Sequence, residues 1–84
     1  MKFCMITFRS VTPAQRGESV LRRAGLHCSI QRTPRWMEEQ GCGYSLRVQF
    51  RDVMQCVELL RNSGVSFRKV YLHKEKGAVE ELSL

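Results

Sequence analysis

The sequence predicts an α+β domain built from four strands and two helices. Short runs in which apolar and polar residues alternate are typical of strands, and two longer runs with an apolar residue every three or four positions are typical of amphipathic helices. Along the chain these runs follow the order strand, helix, strand, strand, helix, strand. A chain of 84 residues has room for one small domain.

The first half of the chain begins with a strand over residues 2–8, where apolar and aromatic residues on both faces predict a central place in the sheet. A helix follows from Thr12 and Pro13, because threonine can cap free amides and proline is tolerated in the first helical turn. Gly25 suits the left-handed conformation that ends many helices. Residues 26–31 then alternate in polarity and predict a half-buried second strand.

The second half repeats this order. Residues 44–50 alternate as a third strand, and Asp52 is a good N-cap for the helix that follows it. That helix is predicted to end near Gly64, and residues 65–72 form the fourth strand.

A weak internal repeat links the two halves, since residues 20–26 resemble residues 59–65 and both lie between a helix and the next strand. Two βαβ halves with right-handed crossovers are expected. The sequence therefore predicts a ferredoxin-like βαββαβ sandwich over residues 1–73, a four-stranded antiparallel sheet with both helices on one face. Residues 74–84 are predicted to be a charged tail that either frays or forms a short helix from Ala78 onward.

The composition is that of a folded basic protein. Hydrophobic residues make up 43% and charged residues 26%, and 14 Lys and Arg against 8 Asp and Glu give a net charge of +6. Such a charge favours nucleic acid, an acidic protein or an anionic ligand, without choosing among them. The basic residues are scattered, so the sequence shows no basic stripe.

The N-terminal residues contain no apolar segment of signal-peptide length, and no segment is long enough to span a membrane, so we expect a cytoplasmic protein without membrane contact. The four cysteines, at positions 4, 28, 42 and 56, form no C-x-x-C pair. In a reducing compartment this spacing argues against a disulfide framework and a zinc site. No metal and no cofactor are predicted.

Residues 33–48 contain the best candidate for chemistry. Cys42 lies between Gly41 and Gly43, just before the third strand. Glycine neighbours remove side-chain bulk and let another molecule approach the sulfur. The alternative is that the three residues only form a turn or bulge leading into that strand.

Charged and aromatic residues surround this cysteine in sequence. Arg35 and Arg47 would favour a thiolate, whereas Glu38 and Glu39 would oppose it if they pointed inward. Trp36 either covers an edge of the core or lines a docking surface, because exposed Trp and Arg are enriched in binding hot spots.

The remaining candidates have simpler interpretations. Cys4, Cys28 and Cys56 fall on apolar faces and are predicted to be inert core residues. His27 and His73 could serve as a base for a cysteine nucleophile, or could face solvent from their strands. No carboxylate pair, phosphate-binding loop or hydroxyl nucleophile motif is present, so hydrolysis and phosphoryl transfer have no visible machinery.

Several short segments together resemble the selenium/sulfur carrier-like family of small bacterial proteins over roughly residues 3–72. They are Phe8-Arg9-Ser10 before a helix, Gly25-Leu26 at its end, Thr33-Pro34-Arg35, Cys42-Gly43 and Leu46-Arg47. The resemblance implies a carrier in which Cys42 holds sulfur or selenium as a persulfide or selenosulfide. By the same resemblance the surrounding motif corresponds to Thr33, Pro34, Arg35, Gly43 and Arg47.

The leading hypothesis is thus a carrier protein, a cosubstrate more than an enzyme, that takes the atom from a donor such as a cysteine desulfurase and gives it to an acceptor protein. Trp36 and Gly41 would complete its binding surface. One alternative is a binding module for RNA or a regulatory ligand, although the third strand lacks the RNA-recognition signature. Another is an accessory protein that forms a homodimer through its open sheet face.

Overall fold

The computed structural model describes residues 2–33, 43–74 and 79–83. The elements in chain order are β1 (Phe3–Phe8), α1 (Val11–Arg23), β2 (Cys28–Arg32), β3 (Tyr44–Gln49), a short 3₁₀ helix (Phe50–Asp52), α2 (Val53–Asn62), β4 (Val70–His73) and β5 (Val79–Leu82). This is an α+β protein with two helices and an antiparallel sheet.

The strands of the described residues form one five-stranded sheet in the order β2-β3-β1-β4-β5. Each neighbouring pair is antiparallel. The strand β1 therefore lies at the centre, between β3 and β4, as its apolar faces predicted.

The predicted count of four strands is wrong, because β5 adds a fifth beside β4. Its residue Leu82 lies opposite Val70, and Val79 lies opposite His73. The alternative of a short helix from Ala78 onward is also wrong. Without β5, one edge of β4 would leave its backbone groups unpaired, and a fifth strand satisfies them.

Both helices pack on the same face of the sheet. Buried residues of β1, β3 and β4 meet buried residues of α1 and α2 in one core: Cys4, Ile6, Phe8, Ala14, Leu21, Leu46, Val48, Val53, Cys56, Val57, Leu60, Val65, Val70 and Leu72. A methyl group on Gly17 of α1 would come within 3.1 Å of Leu46 Cδ1, 3.2 Å of Leu60 Cδ2 and 3.2 Å of Phe8 Cζ. Glycine at this position thus lets α1 approach the sheet and α2 closely.

The helix C-termini follow the predicted signals, whereas at the N-termini Thr12 is not the cap of α1, and Asp52 precedes α2 without a side-chain capping hydrogen bond. α1 begins at Val11 after Ser10, slightly before the predicted Thr12, and Pro13 still falls in the first turn, where its missing N–H costs nothing. Gly25 and Gly64, with φ of 80° and 71°, follow the two helix C-termini in the left-handed region. No helix of the described residues is long and apolar enough to cross a membrane.

The strand β4 begins at Val70, later than the predicted residue 65. The chain before it is held to β1 through Thr7, whose N–H donates to the Lys69 carbonyl (2.8 Å) and whose carbonyl accepts from the Arg68 N–H (2.7 Å). The Thr7 hydroxyl in turn accepts a hydrogen bond from the Lys69 N–H at 3.0 Å. This side-chain bond takes a backbone donor that a regular ladder would use, which is consistent with the late start of the strand.

Candidate functional site

Thr33 and Gly43, which stand on either side of Cys42 in the sequence, meet at one end of the sheet. Thr33 follows β2 and Gly43 precedes β3, and the Thr33 N–H donates to the Gly43 carbonyl at 3.0 Å. Both residues are buried. The chain therefore leaves and re-enters the sheet at the same point. The other predicted site residues of this segment lie outside the described residues: Pro34, Arg35, Trp36, Gly41 and Cys42.

The hydroxyl of Thr33 has an unusual environment. Thr33 is only 7% exposed, and its Oγ1, like Ser45 Oγ, is buried without a hydrogen-bond partner, the only two such side-chain atoms in the described part of the chain. An unsatisfied buried hydroxyl costs about 1–3 kcal/mol, and native proteins contain few of them. This cost lies directly beside the predicted site.

Arg47, the remaining predicted site residue, lies elsewhere on the sheet. It is four residues beyond Gly43 along β3, which corresponds to about 13 Å at the usual strand rise. Its guanidinium carbon is 3.9 Å from the centre of the Phe3 ring. The Phe3 ring also stacks on His73, with ring centres 4.6 Å apart and planes 13° apart. The structure thus places Thr33 and Gly43 together and Arg47 apart from them, so a role for Arg47 beside the Cys42 thiolate stays a prediction.

The three cysteines of the described residues are poor nucleophiles. Burial raises the pKa of the Cys4 thiol to about 11. Burial, with the charge of Asp52 adding to it, raises the pKa of Cys56 to about 12. Both thiols are therefore protonated at neutral pH, and the core roles predicted for Cys4 and Cys56 are confirmed.

Cys28 differs in its exposure, since it packs against the core from a half-buried position. Burial raises the pKa of its thiol, while a hydrogen bond from Arg22 opposes that rise. The Cys28 thiol donates to the Glu18 carbonyl over 3.9 Å.

The two histidines lie far from the Thr33–Gly43 contact. His27 directly precedes β2, and His73 ends β4 opposite Phe3, the first residue of β1. Thr33 follows the last residue of β2, so both histidines are at the opposite end of the sheet. This placement does not favour either histidine as a base for chemistry beside Gly43.

A cavity of about 310 Å³ at this opposite end was not predicted from the sequence. It lies where β1 begins and β3 ends. The lining consists of Lys2, Phe3, His27, Cys28, Ser29, Arg47, Val48 and Gln49. The lining residues belong to or flank three strands that are neighbours in the sheet but not in the sequence. The basic residues Lys2 and Arg47 were the sequence feature that could have indicated this cavity. No group of three or more His, Cys, Asp or Glu within residues 2–33, 43–74 and 79–83 is arranged to hold a metal ion.

Comparison with protein families identifies the chain. The model of the family described as "Putative Se/S carrier protein-like" matches residues 3–72. The chain belongs to this family. The match confirms the family that the sequence resembles, and it extends from β1 into β4. Comparisons with curated proteins and with solved structures give no significant match. Membership of the Se/S carrier-like family supports a role in sulfur or selenium carriage without specifying the chemical step.

Proposed function

We propose that the protein carries sulfur or selenium on Cys42, as a persulfide or selenosulfide, and relays it between partner proteins. In this role it is a protein cosubstrate. We also propose that the order β2-β3-β1-β4, with both helices on one face, is a ferredoxin-like sandwich that β5 extends.

The observation that carries the proposal is the state of the other three cysteines. A carrier must react as a thiolate, and its sulfur must be accessible to the donor. Cys4 and Cys56 are fully buried, with thiol pKa values of about 11 and about 12. Cys28 is half-buried with a raised thiol pKa. Of the four cysteines in the sequence, Cys42 is left as the candidate.

The anchoring of the segment supports the same residue. The Thr33 N–H bond to the Gly43 carbonyl fixes the backbone immediately next to Cys42 in sequence. Preorganised backbone lowers the entropy that a partner must remove on binding. The buried, unpaired Thr33 hydroxyl is a further donor at this point, and buried polar groups without partners often have functional roles.

The proposed reaction has two exchange steps. First, the Cys42 thiolate attacks the outer sulfur of a persulfide on the donor, such as a cysteine desulfurase. A new sulfur–sulfur bond forms on Cys42, and the donor's own sulfur–sulfur bond breaks to leave its cysteine as a thiolate. Second, a thiolate of the acceptor attacks the outer sulfur on Cys42 in the same manner, and the Cys42 thiolate is regenerated. No net oxidation occurs, and a reducing compartment such as the cytoplasm keeps the thiol available.

The test is sulfur loading followed by intact-mass measurement. The full chain is incubated with a cysteine desulfurase and cysteine, and gain of the mass of one sulfur atom is followed for the wild type and for Cys42→Ser. The matched control is Cys28→Ser, which removes the most exposed of the other described thiols. We expect loading of the wild type and of Cys28→Ser, and none of Cys42→Ser.

Equal loading of the Cys42→Ser variant would show that another thiol carries the sulfur. Loading that disappears only in Cys28→Ser would assign the carrier role to Cys28. Repeating the incubation with a selenium donor distinguishes sulfur from selenium as the preferred atom.

A further inference from the structure

The cavity at the far end of the sheet has the features of a ligand site of its own. We propose that it binds a small organic phosphate, with the phosphate held by Lys2 and Arg47. At about 310 Å³, it is at the small end of the range of ligand pockets.

The described lining of the cavity is positively charged. Among residues 2–33, 43–74 and 79–83 it contains Lys2 and Arg47 and no carboxylate. Within the described part of the chain, neither side chain has an ion-pair partner, whereas Arg22, Lys69 and Lys74 each pair with a glutamate. Two cations without an ion-pair partner beside one cavity match the charge of a phosphate monoester, which is close to two negative charges near neutral pH.

Aromatic rings hold both cations in place. The Arg47 guanidinium lies over the Phe3 ring at 3.9 Å, and Lys2 Nζ lies 5.8 Å from the centre of the Phe50 ring. Phe3 is itself braced by its stack on His73. A cation–π contact uses the flat face of the guanidinium and leaves its N–H donors, which lie in the plane, available for a phosphate. The charge is therefore positioned before the ligand arrives, which reduces the entropy cost of binding.

The remaining lining suits an organic group attached to the phosphate. Phe3 and Cys28, both half-buried, provide apolar surface in the lining. Ser29, opposite Arg47, and Gln49, opposite Phe3, add neutral hydrogen-bonding groups. A purely inorganic ion would leave the apolar wall unused.

Phosphate binding by Lys2 and Arg47 does not require the proposed carrier thiol. Arg47 and Gln49 are four and six residues beyond Gly43 on β3, which corresponds to about 13 Å and about 20 Å along the strand. Ligand binding should accordingly be the same in the wild type and in Cys42→Ser, so that failure of one proposal leaves the other standing.

The experiment is a calorimetric titration of the full chain with phenyl phosphate at low ionic strength, where surface electrostatics are least screened. Arg47→Gln and Lys2→Gln each remove one cation from the cavity. The matched control is Arg16→Gln, which removes the same charge from an exposed position on α1. Inorganic phosphate and benzyl alcohol test the two halves of the ligand separately.

We expect saturable binding of phenyl phosphate that weakens about tenfold in Arg47→Gln and in Lys2→Gln and is unchanged in Arg16→Gln, since a charge-assisted hydrogen bond commonly has that effect. Inorganic phosphate should bind at least tenfold more weakly, and benzyl alcohol should not bind measurably. Absence of phenyl phosphate binding, equal affinity in Arg47→Gln, or equal loss in Arg16→Gln would overturn the proposal. Equal affinity for inorganic phosphate would overturn the part played by the apolar wall.

Discussion

Thr7 and Thr33 are both buried, but their hydroxyls have opposite surroundings. Thr7 Oγ1 accepts from the Lys69 N–H at 3.0 Å and donates to the Lys69 carbonyl at 3.2 Å. Thr33 Oγ1 has no partner within the described chain. The same substitution at the two positions should therefore change stability in opposite directions.

We predict that Thr33→Val raises the free energy of unfolding by about 1 kcal/mol, because valine keeps the shape and removes an unsatisfied hydroxyl. Thr7→Val should lower it by about 1–2 kcal/mol, because the Lys69 N–H loses its acceptor. Urea denaturation of the two variants beside the wild type measures both changes. A Thr33→Val variant that is less stable than the wild type would mean that the hydroxyl forms a stabilising contact.

For single residues, the burial of Cys4 and Cys56 could be predicted from the sequence, whereas the contact of Arg47 could not. Alternation and helical spacing placed Cys4 and Cys56 on apolar faces, and both are buried in the core. The contact of Arg47 with Phe3 joins two strands far apart in sequence, and its register depends on the tertiary pairing of β1 with β3. Local patterns carry no information on that pairing.

At the scale of elements, β5 is held by pairing with β4 and by exposed ion pairs. Lys74 Nζ lies 2.7 Å from Glu80 Oε1, and Lys69 Nζ lies 3.5 Å from Glu81 Oε1. The hydrogen bond and charge of Lys74 lower the pKa of the Glu80 carboxyl. Because the pKa of Glu80 is lowered in the folded state, the stabilisation of β5 by the Lys74–Glu80 pair is present above the pKa of the unfolded chain. It is lost as the pH falls through the pKa of the folded state.

We predict that protection of the β5 amides from hydrogen exchange decreases below about pH 4.5, the ordinary value for glutamate, as Glu80 becomes protonated. In Glu80→Gln the protection should be lower at neutral pH and should depend less on pH in this range. Glu58→Gln, at an exposed position on α2, is the matched control and should behave as the wild type. If β5 lost protection identically in wild type and Glu80→Gln, its acid sensitivity would arise from another group.

The helices and β1 to β3 could be predicted because each has a clear period and clear end signals, such as Gly25 and Gly64. The end of the chain could not. Val79-Glu80-Glu81-Leu82 is too short and too charged to show an alternating pattern, and it becomes a strand because the edge of β4 is available.

At the scale of the whole molecule, the buried thiols make stability depend on pH in the alkaline range. Cys4 and Cys56 have raised pKa values in the folded state against 9.0 as the ordinary value. Because these thiols have a higher pKa in the folded state, their protonation contributes fully to stability below the pKa of the unfolded chain. This contribution is lost as the pH rises toward the pKa of the folded state. The unfolded chain releases these protons first, so unfolding is favoured above about pH 9.

We predict that the free energy of unfolding of the wild type falls more steeply above pH 9 than that of Cys56→Ala, which lacks one of the two thiols. Denaturant titrations at a series of pH values compare the slopes, and the difference between the two proteins removes the contribution of the other titrating groups. Parallel slopes would show that Cys56 does not retain its proton in the folded state.

The sheet face away from the helices is less open than the sequence predicted. Met5, Thr7 and Ser45 alternate with core residues and so point to that face, yet each is at most 2% exposed. The Gln31 side-chain amide lies 3.9 Å from Met5 Sδ and covers part of it. The exposed part of this face includes Arg47. A homodimer or an RNA complex through the face stays a prediction.

If Cys42 is the carrier thiol, the transferred sulfur atom is bound to it, and locating that atom is the decisive measurement. The wild-type chain is loaded by a cysteine desulfurase, its persulfide is trapped by alkylation, and the modified cysteine is identified by peptide mass spectrometry. We predict the additional sulfur on the peptide that contains Cys42, with none on the peptides of Cys4, Cys28 or Cys56. Sulfur on Cys28, or on no cysteine of the chain, would mean that Cys42 is not the carrier thiol.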